Sequence, residues 1–123
     1  LRPLSLVNPA LHGFKSGEAV LSCENCALSF SNRSEKMRTY FQQQSWEALA
    51  REVLDVGYVQ DISWFYLGAA AEGLGLPHAY QYFHQAVVLA KQKETHCKGL
   101  LADLCNGIDL PRQAGEALTR LQK

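Results

Sequence analysis

From about Ser31 onward, apolar residues recur every three to four positions, the spacing of one face of an α-helix; before that point they follow no steady period. Ser31 or Asn32 can cap a first helix, with Met37, Tyr40 and Phe41 on one face. The run Gln42-Gln43-Gln44 leads to Ser45, a second cap, and to a helix from Trp46 to about Val56 with Trp46, Leu49, Val53 and Val56 on one stripe. Gly57 stands where a left-handed C-terminal residue is wanted. Asp61 can cap a third helix, which carries Trp64, Leu67, Gly68 and Ala71 and is stopped by Gly73 and Gly75. Pro77 fits the first turn of a fourth, with Ala79, Phe83, Ala86 and Leu89 or Ala90 along one side. A fifth is expected to start between Glu94 and Gly99 and to end before Gly107. Asp109 and Pro111 open a sixth, bearing Ala114, Ala117, Leu118 and Leu121.

Residues 1–30 read as an irregular N-terminal arm, because Pro3, Pro9, Gly13 and Gly17 interrupt any helix. Its apolar residues Leu4, Leu6, Val7, Leu11 and Phe14 predict that it packs on the body, with one short strand or helical turn around Ala19–Leu21. Residues 31–123 form the helical domain. Short loops make neighbouring helices antiparallel, so the expectation is an all-α fold of about three consecutive hairpins. One hairpin cannot bury its apolar face alone, so the hairpins stack.

Composition narrows the function more than the fold. With 47% apolar and 20% charged residues the chain is globular and not disordered. Lys plus Arg and Asp plus Glu are 12 each, which leaves no bulk charge to attract nucleic acid or an anionic membrane. No apolar run reaches the roughly 18 residues of a spanning helix. There is no Gly-rich phosphate loop, nucleophile elbow or His-Glu-x-x-His motif, and His12, His78, His84 and His96 fall in no paired metal spacing. No catalytic residue, metal or cofactor is therefore expected.

Residues 61–90 resemble a tetratricopeptide repeat. Trp64, Leu67, Gly68 and Ala71 match the first-helix pattern, Gly75 the turn, and Ala79, Phe83 and Ala86 the second helix, with one residue deleted in the turn. Gly68 and the alanines let two helix backbones approach closely, while Trp64, Leu67 and Phe83 fill the space between hairpins. The flanks fit loosely, through Met37, Tyr40, Trp46 and Leu49 before and Leu100, Leu101, Leu104 and the Pro111–Leu121 segment after. Neither flank has the Leu-Gly pair, so the resemblance covers about a quarter of the chain closely. The Gly73–Pro77 turn is also similar to that of Sel1-like repeats, but the spacing from Leu67 to Gly75 favours the tetratricopeptide register.

The resemblance implies a short right-handed α-solenoid whose concave groove holds a peptide, with Ile62, Phe65, Ala69 and Glu72 at the groove positions. An exposed Phe65 beside Glu72 would anchor an extended or helical segment, or the N-terminal arm would fill the groove in cis. The implied function is a non-enzymatic protein-binding or scaffold module, similar to accessory lipoproteins of bacterial envelope secretion and pilus assemblies. Its partner would be a protein or peptide, with self-association through exposed ends as a further expectation.

Four cysteines, Cys23, Cys26, Cys97 and Cys105, point to an oxidising, periplasmic or otherwise extracytoplasmic compartment. The start at Leu1 without Met adds the expectation that a leader, a lipid anchor or a longer parent chain has been cut away. Cys23-Glu24-Asn25-Cys26 admits a local disulfide, a redox-active pair or half of a zinc site, and a thiol-redox or zinc-binding protein is the alternative function. Cys97 and Cys105 lie about 12 Å apart along an unbroken helix, too far for a disulfide unless that helix starts late. The sequence is compatible with arm-to-body bridges, with a Cys23–Cys26 bridge alone or beside a Cys97–Cys105 bridge, and with free thiols or a metal site. Asn32-Arg33-Ser34 fits a glycosylation acceptor.

Overall fold

The computed structural model describes residues 9–92, 105 and 108–122. Among these it is all-helical, with α1 over Pro9–Lys15, α2 over Ala27–Gln42, α3 over Trp46–Val56, α4 over Asp61–Gly73, α5 over Ala79–Gln92 and α6 over Leu110–Leu121. The fifth helix expected between Glu94 and Gly107 falls outside the described residues, Cys105 apart.

Local chemistry accounts for most helix ends. At the end of α2, Gln44 takes a left-handed φ of 60°. The Ser45 amide then donates to the Tyr40 carbonyl at 2.9 Å and the Gln44 amide to Phe41 at 3.2 Å, a Schellman closure made without glycine. Helix α4 ends in the same way, with Gly75 at φ 73° and the Leu76 amide donating to Ala71 at 2.8 Å. Gly57 closes α3 at φ 70°. Asp109 is the N-cap of α6, with proline in the first turn.

Four boundaries depart from the sequence expectation: Asp61 is the first residue of α4, with Gln60 as its N-cap, α5 starts at Ala79, two residues after Pro77, and two lie near the N-terminus. Pro9 opens a helix where it was read as a break, since a proline at the first helical position forgoes an N–H that has no intrahelical acceptor anyway. Helix α2 starts at Ala27, four residues before Ser31, because Cys26 serves as its N-cap. The arm therefore carries α1 and the first turn of α2. In place of a strand at Ala19–Leu21 there is one isolated parallel bridge, Cys23 to Tyr58.

Each of α2 to α6 packs on the next in chain order among the described helices, and further contacts join α1 to α3, α2 to α4 and α4 to α6. Helix α4 lies at the centre. Every residue from Asp61 to Ala71 is buried, as expected of a helix with no polar face. Gly68 is the point of closest approach: a Cβ there would sit 2.8 Å from the Phe83 ring of α5. Trp64, Leu67, Ala71, Ala79, Phe83 and Ala86 are all in the core, and Gly75 forms the turn.

The N-terminal segment is fastened at several places, among them a 2.7 Å hydrogen bond from the Gln81 side chain of α5 to the Gly17 carbonyl. The Phe14 ring is fully buried and stacks on Tyr82 of α5 with centroids 5.6 Å apart. Lys15 pairs with Glu47 of α3 at 2.7 Å. The Cys23 amide donates to the Gly57 carbonyl at 2.8 Å, and the Val59 amide returns a bond to the Cys23 carbonyl at 2.9 Å. Cys23 and Cys26 form a disulfide with each other, Cα atoms 5.8 Å apart. Neither is thus available for a bridge to the body or, in this state, for zinc. Cys105 is also disulfide-bonded, and Cys97 lies outside the described residues.

Candidate functional site

The order of packing leaves a cavity of about 390 Å³ where α2, α4 and α6 come together. Its floor is aromatic and small: Phe41 from α2, Phe65 and Ala69 from α4, Phe83 from α5 and Ala117 from α6. The rings meet at angles, with Phe41 to Phe65 centroids 6.0 Å apart and Phe65 to Phe83 5.6 Å apart, the edge-to-face preference of aromatic quadrupoles. Trp46 of α3 makes one wall, edge-on to Phe41 at 6.0 Å. Its indole lies directly over Gly73, where any side chain would collide with it.

The rim is charged but internally neutralised. Arg120 of α6 grips Glu72 of α4 with two hydrogen bonds of 2.7 Å each. Arg112 bonds Asp109 at 3.2 Å and Glu116 at 3.1 Å. These carboxylate bonds raise both guanidinium pKa values, so both arginines stay charged throughout the working pH range. The cavity thus presents an apolar interior behind a border whose charges already have partners.

Three of the four groove residues expected from sequence meet here: Phe65, Ala69 and Glu72. Ile62 does not line it and is fully buried one turn earlier in α4. Phe65 is not an exposed anchor, since only 4% of it reaches solvent; it is part of the floor, covered by Phe41 and Phe83. The reason is the central place of α4. With helices on several sides of it, its groove-facing side is also core. No described residue of the N-terminal arm lines the cavity, so filling in cis by residues 9–30 does not occur.

Sequence reasoning missed the contribution of α6. Arg112, Glu116 and Arg120 recur every four residues, which marks one helical face. Nothing in the sequence, however, pairs Arg120 with Glu72 from 48 positions away. A second cavity of about 430 Å³ lies beside α5, between Ala19, Trp64 and the Tyr80–Gln85 stretch. Among the described residues no group of three or more His, Cys, Asp and Glu side chains is placed to hold a metal, and no helix is long and apolar enough to cross a membrane.

Comparison with protein-family models, with curated proteins and with solved structures finds no match to this chain.

Proposed function

We propose that the protein is a non-enzymatic binding module that receives an apolar side chain of a partner segment in the groove between α2, α4 and α6. The aromatic cavity carries this reading. A volume of about 390 Å³ suits one large side chain with its flanking backbone, and a rim of satisfied ion pairs favours a partner segment of low charge. A short solenoid of the tetratricopeptide kind is supported by the sequential packing and by contacts between α2 and α4 and between α4 and α6. An oxidising, envelope-type compartment is supported by the disulfides at Cys23–Cys26 and at Cys105. A role in bacterial secretion or pilus assembly rests on the family resemblance alone.

The test is panning of a random peptide library on the folded chain, repeated with Gln113→Trp. Gln113 is a partly exposed lining residue, so the indole fills the groove without entering the core. The expected result is an enriched motif with one aromatic or large aliphatic residue, lost in the folded variant. Absence of any enriched motif, or a motif that binds the variant equally, refutes the reading.

A further inference from the structure

We propose that the Cys23–Cys26 disulfide is a thiol–disulfide exchange site whose substrate is a protein dithiol. Both cysteines are partly exposed, so an attacking sulfur can reach them. Cys26 is the N-cap of the 16-residue α2, whose first turn holds no acidic residue and whose N-terminus has no side-chain capping bond. With no acid in that first turn, the positive end of the helix favours a thiolate on Cys26. Glu24, the one charge inside the motif, is exposed to solvent.

The surroundings favour a protein as the reaction partner. Val20, three residues before Cys23, is 75% exposed, and Leu28, two residues after Cys26, is 50% exposed. They are two of the four large hydrophobics left open among the described residues, and they flank the disulfide on both sides in sequence. A small thiol needs no apolar border, whereas a docking protein does.

The fold at this point does not depend on the sulfurs. Cys23 is held by its own amide and carbonyl through Gly57 and Val59, and the neighbouring Phe30 is fully buried against Tyr58. The covalent loop is also very short, so it restrains the unfolded chain only slightly.

In the exchange, a partner thiolate attacks Sγ of Cys23. The S–S bond breaks and Cys26 leaves as a thiolate at the start of α2, the better leaving group of the two. The partner's second thiolate then attacks its own sulfur in the mixed disulfide and expels Cys23. Two electrons pass from the partner dithiol to the pair, two protons given up by the partner's thiols return to the two cysteines, and the partner departs as a disulfide.

The test is incubation of the folded chain with reduced thioredoxin or with dithiothreitol, followed by alkylation, peptide mass spectrometry and circular dichroism. We expect the Cys23–Cys26 bond to open within minutes with helicity retained, well before the bond at Cys105. Val20→Ser with Leu28→Ser should slow the thioredoxin reaction several-fold and leave the dithiothreitol reaction unchanged. Ser29→Asp, an exposed change in the first turn of α2, should slow both by about two- to five-fold, the factor that a charge near a helix end commonly produces. Opening no faster than at Cys105, or opening only with loss of helicity, would show a structural staple and overturn the proposal. An equal effect of the Val20 and Leu28 changes on both reagents would overturn the protein dithiol as substrate.

Discussion

The hydroxyl of Tyr82 donates a 2.7 Å hydrogen bond to the carbonyl of Phe14, accepts one from the Ala19 amide at 3.4 Å, and its ring stacks on that of Phe14. One side chain of α5 thus ties the last turn of α1 to the chain that follows it. Tyr82→Phe keeps the stack and removes the hydroxyl, leaving the buried Phe14 carbonyl without this donor. The Gly17 amide still donates to that carbonyl at 3.3 Å, so the expected cost is that of one ordinary hydrogen bond, about 0.5–1.5 kcal/mol, read as a lower denaturant midpoint. Faster amide exchange or proteolysis confined to residues 9–22 should accompany it. Uniform loss of protection would mean that the segment and the body unfold as one unit.

Burial raises the pKa of Tyr82, and burial followed by the charge of Asp61 raises that of Tyr58. Folded, both tyrosines hold their protons more tightly than in the unfolded chain, where they titrate near 10. Their contribution to stability is therefore complete below about pH 10 and falls as the pH rises through the folded values. Urea titrations between pH 8 and 11.5 should show a midpoint that declines above pH 10, with a shallower decline in Tyr82→Phe. A midpoint that rises over that interval would contradict the assignment.

Gly68→Ala places a methyl group 2.8 Å from ring carbons of Phe83, inside contact distance, in a fully buried position. The cost should be about 1–3 kcal/mol, as for other overpacked cores. Pairing it with Phe83→Leu should recover part of the loss, because the smaller side chain opens room. Absence of coupling between the two changes in a double-mutant cycle would show that the helices do not meet there.

Gln44 is the one non-glycine residue with positive φ among those described. Glycine adopts that conformation without a Cβ clash, so Gln44→Gly should raise stability by about 0.5–1 kcal/mol through a higher thermal midpoint. A lower midpoint would indicate that the Gln44 side chain contributes more than the strain it carries.

How much of this was legible in the sequence depends on where each residue sits. Trp46–Val56 and its closing Gly57 could be read directly, because α3 buries one stripe, Leu49, Ala50 and Val53, and leaves its other residues partly or fully exposed. The Asp61–Ala86 hairpin was legible through Gly68, since a glycine inside an apolar helix implies close approach of another element. The groove was legible only by register. In α4 the apolar pattern has no preferred face, so spacing cannot separate Phe65 as floor from Phe65 as surface. Phe65→Ala accordingly should cost about 3–5 kcal/mol of stability and cannot serve as a clean binding variant. The α1 helix was missed because Pro9 reads equally as a break or as a first helical residue. The Tyr82–Phe14 and Arg120–Glu72 contacts were beyond reach because long-range partners leave no local periodicity.

The enclosure of α4 has a consequence for how this protein can diversify. From Asp61 to Ala71 the helix turns no face toward water, so along that stretch selection has no position at which to try a new recognition chemistry without risking the scaffold. Changes in what the groove accepts therefore fall most readily on α6, where Arg112, Gln113, Glu116 and Arg120 border the opening from a partly solvated strip. A library built to retarget the domain would vary those four positions and leave the middle rod untouched.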